Sequence, residues 1–80
     1  MKRIAAERLL IGISQEKLAM HLGTTKQTIY RWENGLANPR LPDLCNMAAF
    51  FGCTTDWLLG RSESANKEGS QWLDVLKIAG

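Results

Sequence analysis

The stretch Gln15-Glu16-Lys17-Leu18-Ala19-Met20-His21-Leu22-Gly23-Thr24-Thr25-Lys26-Gln27-Thr28-Ile29-Tyr30-Arg31-Trp32 decides the fold. Leu18, Leu22, Ile29 and Trp32 are apolar, Ala19 is small and Gly23 interrupts the run. Ser14 precedes Gln15 and Thr25 precedes Lys26, and both side chains accept hydrogen bonds from first-turn N–H groups of a helix. Two helices are expected, Gln15–Leu22 and Lys26–Glu33, joined by a turn whose Gly23 permits positive φ. Ala19 lets the second helix come close, and the four large apolar residues face one core beneath both. Glu16 suits the positive end of the first helix. Lys17 stands where a complete capping box carries glutamate, so that cap is partial.

Two short helices crossing steeply through such a turn make a helix-turn-helix arrangement. Outward from it, the chain is punctuated by Gly12, Gly23, Gly35, Gly52 and Gly60, each after a stretch of helical periodicity. Five short helices follow from these stops, and no segment alternates as a strand. The first spans Lys2–Ile11, with Ile4, Arg8 and Ile11 on one side. A loop stiffened by Pro39 covers 36–41. The fourth helix is expected over 42–51, with Pro42 in its first turn and a stripe of Leu44, Met47, Ala48 and Phe51. The fifth, capped by Thr54, is expected over 55–59. Residues 1–60 thus form one all-α, five-helix domain. Residues 61–70 are polar and linker-like. Residues 71–80 turn apolar again, and the nine residues of 71–79 are too few for a stable lone helix in water. That segment either forms a short helix folded back on its own domain or meets a partner through 71–79.

Eighty residues suit one domain, and a chain 45% hydrophobic and 22% charged is globular in composition. No apolar run approaches the ~18–20 residues that span a bilayer. The start lacks the apolar core of a secretory signal, so no membrane association and a cytoplasmic location are expected. Cys45 and Cys53 form no CxxC pair, and the single histidine, His21, is distant in sequence. No metal site, disulfide or cofactor is expected, and both cysteines read as small hydrophobes. One histidine and little room for a cleft argue against an enzyme.

Net charge is only +2, but its distribution is uneven. Residues 1–40 carry seven basic and three acidic residues, a balance of +4; residues 41–80 carry three and five, a balance of −2. That asymmetry fits a positive end meeting a polyanion, and equally fits ordinary solvated charge. The outer face of the third helix is more specific. Gln27, Tyr30, Arg31 and Asn34 fall at i, i+3, i+4 and i+7, with Lys26 beside them. A merely solvated helix usually carries Glu/Lys pairs; this one offers amide, guanidinium, phenol and ammonium groups. Glutamine can pair with the N6/N7 edge of adenine, and Lys or Arg with guanine O6/N7 or phosphate. Base reading is therefore favoured over simple solvation.

Residues 4–60 resemble the phage repressor/Cro class of helix-turn-helix domains, the XRE-like family. The resemblance is carried by Gly12-Ile13-Ser14-Gln15-Glu16-Lys17-Leu18-Ala19, by Leu22-Gly23-Thr24-Thr25-Lys26-Gln27-Thr28-Ile29, by Arg31-Trp32-Glu33-Asn34-Gly35, and by Gly52-Cys53-Thr54-Thr55-Asp56-Trp57-Leu58-Leu59-Gly60. It implies a compact lambda-repressor-like bundle that binds operator DNA, usually palindromic, as a homodimer. By position, it implies a phosphate contact for Gln15, base and phosphate contacts for Thr25, Lys26, Gln27 and Thr28, phosphate contacts from Asn34, and a minor-groove reach for Arg40. It also implies a buried salt bridge between Arg8 and Glu33. Lys17 and Arg31 are further phosphate candidates, and Tyr30 belongs to the same exposed stripe. Trp57, Trp72, Leu73 and Leu76 are candidates for a dimer or partner contact, with packing inside the chain as the alternative. The sequence departs from the family at Thr24, where an aliphatic residue is usual, and at Glu7, where leucine is common; no N-terminal arm is expected. A transcriptional regulator, and more narrowly a repressor, is the expectation. The alternative is an antitoxin-like or regulatory partner protein whose C-terminal segment binds another protein.

Overall fold

The computed structural model describes residues 1–61. Apart from Arg61, the expected linker and the apolar segment with Trp72, Leu73 and Leu76 lie outside the described residues. Five helices follow one another: α1 Lys2–Ile11, α2 Gln15–Leu22, α3 Lys26–Glu33, α4 Leu41–Phe51 and α5 Thr55–Leu58. No strand occurs among the described residues. The described residues adopt the all-α architecture their periodicity implies.

Local chemistry sets most of the boundaries. Ser14 Oγ accepts the Lys17 N–H at 3.0 Å, Thr25 Oγ1 accepts the Thr28 N–H at 3.2 Å, and Thr54 Oγ1 accepts the Trp57 N–H at 3.0 Å. Each bond satisfies one of the N–H groups that a helix start leaves without a partner. Gly23 closes α2 at φ 70, its N–H reaching Ala19 O and Met20 O. A β-carbon there would touch nothing, so the demand for glycine is one of backbone conformation rather than space.

Two ends differ by one residue from the sequence expectation. Helix α4 begins at Leu41 because Arg40, in extended conformation (ψ 163), acts as its N-cap without a side-chain bond. Pro42 then falls in the first turn, where its missing N–H has no helical acceptor to lose. Helix α5 stops at Leu58, although Leu59 keeps right-handed helical angles (φ −78, ψ −6) and donates to Thr55 O at 2.9 Å.

The core lies where all five helices converge. Ile4 and Ile11 come from α1, Leu18 and Ala19 from α2, Ile29 and Trp32 from α3, Leu44, Met47, Ala48, Phe50 and Phe51 from α4, and Leu58 from α5. Leu22 is half-buried against this cluster. Each fully buried large side chain, such as Ile4, Leu18, Ile29 or Phe51, contributes roughly 1.5–3 kcal/mol relative to exposure. Helix α2 packs on α3 and α4, while α1 packs on α3 and α5. The His21 ring stacks on Phe50 with centroids 5.2 Å apart, bracing the end of α2 against α4. The consequence for function is that α3 is held along one side only. Among the described residues, no helix is long and apolar enough to cross a membrane, and no cluster of three metal-ligating side chains occurs.

Candidate nucleic-acid interface

Helix α3 divides sharply by face. Ile29 and Trp32 are 0% and 5% exposed and anchor it to the core. Lys26, Gln27, Tyr30, Arg31 and Asn34 are all exposed, Tyr30 at 49% despite its ring. The eight-residue helix with two buried anchors is a rigid carrier for those side chains. Fixing a side chain's carrier in advance lowers the entropy lost when it meets a ligand.

The polar groups divide into free and committed. Lys26, Gln27, Tyr30 and Arg31 make no side-chain hydrogen bond among the described residues. The Thr25 and Thr28 hydroxyls, by contrast, lie 2.9 Å apart and bond to each other, while Thr25 also caps the helix. Asn34 Nδ2 donates to Tyr30 O at 2.8 Å, closing the end of α3 and leaving its Oδ1 uncommitted by that bond. Lys17 is exposed and lines a shallow open groove with Met20, Thr24 and Lys26 between the starts of α2 and α3. Arg40 is exposed at the start of α4.

Behind the stripe lies a compact ionic clamp. Arg8 Nε donates to Glu33 Oε2 at 2.7 Å and Nη2 to Glu33 Oε1 at 3.1 Å, a two-pronged geometry suited to guanidinium and carboxylate. Arg8 Nη1 donates to Ile13 O at 3.0 Å. One guanidinium thereby ties α1 to the turn before α2 and to the last residue of α3. Gln15, the first residue of α2, joins the same carboxylate through Nε2 at 3.0 Å to Glu33 Oε1. The sequence reading missed this bond, since nothing in it links residues 15 and 33.

A second cluster was also missed. Glu7, 3% exposed, accepts the Trp57 indole N–H at 3.0 Å. The Arg3 guanidinium lies 3.7 Å over the Trp57 ring, and its Nη1 donates to Trp57 O at 2.8 Å. Trp57 therefore spends its polar edge and one ring face inside its own chain, and it is half-buried. With Glu7 and Glu33 drawn into these contacts, Glu16 is the sole exposed acid in residues 1–40. It stands against the exposed Lys2, Lys17, Lys26, Arg31 and Arg40. The positive surface is more one-sided than the residue count implies.

Comparison with known proteins fits this geometry. The helix-turn-helix family matches residues 4–58, from the core residue Ile4 to the core residue Leu58. The chain belongs to the XRE-like helix-turn-helix family. It is also similar to an uncharacterized, SPbeta prophage-derived HTH-type transcriptional regulator, YonR, of Bacillus subtilis (strain 168). The two are 36% identical over 58 residues, 72% of this chain and 54% of the relative. The matched part thus spans about half the length of that curated relative. The family's boundaries coincide with the five-helix unit, so the exposed stripe of α3 sits within the helix-turn-helix itself.

Proposed function

We propose that this chain is a sequence-specific double-stranded DNA-binding transcriptional regulator that places α3 in the major groove. The observation that carries this reading is the division of α3: two core anchors on one side, and four polar side chains without partners on the other. Gln27 and Lys26 offer base-edge chemistry, amide to adenine and ammonium to guanine. Thr25 and Thr28 stand at the same end of the helix. Tyr30, Arg31, Lys17, Asn34 and Arg40 are exposed and carry donors suited to phosphate, the contacts that fix register. Membership of the helix-turn-helix family and the relative's description as a transcriptional regulator support the same reading.

One helix covers only about 4–6 base pairs, too short a word to mark a site. A homodimer with half-sites about one DNA turn apart, ~34 Å, supplies the missing length. A repressor in the cytoplasm, acting by occupying a palindromic operator, is the narrower form of the proposal. Selection from a pool of random duplexes tests it. An enriched word repeated about one turn apart in inverted orientation is the expected result. Recovery of no word overturns sequence reading, and a single unrepeated word overturns the two-fold dimer.

A further inference from the structure

Helix α1 buries one face and leaves an apolar row on the other. Ile4, Glu7 and Ile11 point into the protein, while Ala6, Leu9 and Leu10 stand outward, Leu9 66% and Leu10 71% exposed. A single exposed leucine needs no account. Here two lie together with Ala6 at i, i+3 and i+4, and among the described residues no other helix exposes two large apolar side chains. Leu10 also extends the line Arg3, Glu7, Leu10, at i, i+4 and i+7, whose first two members hold Trp57 of α5. The outward row thus borders the side of α1 on which α5 packs.

The chain leaves the described residues next to α1. Gly60, at φ 78, donates to Trp57 O at 3.0 Å and Arg61 to Asp56 O at 2.8 Å, the paired bonds of a closed helix end. Arg3 Nη1 in turn holds Trp57 O. The exit is therefore tied to the first turn of α1, and Leu10 lies about 10 Å further along that helix at 1.5 Å per residue. The linker-like stretch 61–70 has ten residues, and a flexible chain of that length spans about 16–19 Å r.m.s.. After it, Trp72, Val75, Leu76 and Ala79 recur at i, i+3, i+4 and i+7, with Asp74 and Lys77 the only charges among residues 71–79.

We propose that residues 71–79, which lie outside the described residues, dock on Ala6, Leu9 and Leu10 of their own chain. Each side supplies what the other lacks. An apolar segment of nine residues needs a surface to pack on, and the row on α1 offers apolar area with no acid in it. The tether decides between this chain's segment and that of a second copy. A linker whose r.m.s. length is comparable to the distance to be crossed gives a local concentration in the millimolar range, whereas the segment of another molecule must be captured from dilute solution. None of the three seat residues belongs to α2 or α3, so the inference stands apart from the DNA-binding reading.

Melting of the full chain followed by circular dichroism tests it, with three variants: Leu9→Ala plus Leu10→Ala, Trp72→Ala plus Leu76→Ala, and all four changes together. Alanine is the better helix former, so a merely solvated row would keep or gain stability on the first exchange. A fall in the midpoint of about 4–8 °C is expected instead. The second pair is expected to cost a similar amount, and the four changes together no more than either pair, because both act on one contact. An unchanged or raised midpoint for the first pair, or falls that add, overturns the proposal. The unaltered protein gives a second readout by nuclear magnetic resonance. Cross-peaks between the Leu9 or Leu10 methyl groups and the Trp72 ring are expected, and an equal mixture of isotope-labelled and unlabelled chain is expected to show none between molecules. Absence of every such cross-peak overturns the seat on α1. Cross-peaks between molecules give that seat to the segment of a second copy and overturn docking within one chain.

Discussion

Glu7 accepts the indole N–H of Trp57 at 3.0 Å across fifty positions of sequence, and Glu7 is only 3% exposed. The bond helps to offset the cost of burying an acid where an aliphatic residue would pack without desolvation cost. It also explains why α5 exists. Four residues do not form a helix unaided; this one is capped by Thr54 and pinned to α1 by Trp57, which Arg3 covers from above.

Trp57→Phe keeps a ring and removes the donor. It is expected to cost about 1–3 kcal/mol, the range for leaving a buried polar group short of a partner. Thermal or urea unfolding followed by circular dichroism measures it. The paired change Glu7→Leu with Trp57→Phe is expected to recover most of the loss, since removing both partners of a buried contact is close to neutral. No recovery in the pair would show that the Glu7–Trp57 bond is not the source of the loss.

Arg8→Ala leaves the Glu33 carboxylate with Gln15 as its remaining partner in a site where both charged side chains are largely covered, 13% and 5% exposed. Breaking such a pair from one side is expected to cost about 3 kcal/mol. For a domain this small, each kcal/mol lowers the midpoint by about 4–8 °C. A melting curve that does not move would mean that water serves Glu33 as well as Arg8 does.

Gln27→Ala and Lys17→Ala are expected to separate two kinds of contact. The first should weaken binding to the selected site by about 1–3 kcal/mol and relax preference at one base position. The second should weaken selected and random duplexes alike. Competition titrations on both duplexes decide it, and equal losses for Gln27→Ala would remove that side chain from base reading.

Salt supplies a test independent of any mutation. If Lys17, Arg31, Arg40 and their symmetry mates meet phosphates, about six contacts form in a dimer. Affinity should then fall on the order of 10³-fold between 50 and 200 mM salt. A shallow dependence would place those cations away from the backbone.

The caps and periodic apolar residues made the fold legible. Ser14 and Thr25 set the starts of α2 and α3, and the spacing of Leu44, Met47, Ala48 and Phe51 marked the buried side of α4. Those signals are local, carried by residues three or four apart. The one-residue differences at Leu41 and Leu59 arose where the local signal was weak, at an N-cap without a side-chain bond and at a helix end whose glycine, Gly60, stands one residue beyond the cap. The exposed stripe of α3 was equally legible because Ile29 and Trp32 define its opposite side. What stayed hidden was pairing at a distance. The positions of Glu7 and Gln15 were visible, but Trp57 and Glu33 reach them only after five helices have closed on one core. Nothing in the order of residues announces that meeting.

The split along α3 has a consequence for how new specificities could arise. Since Lys26, Gln27, Tyr30 and Arg31 support no neighbour by hydrogen bonding, exchanging them leaves the scaffold's cohesion nearly intact. Under the base-reading proposal, one framework can take up new vocabularies through change at Lys26 and Gln27, while the anchors beneath stay constant.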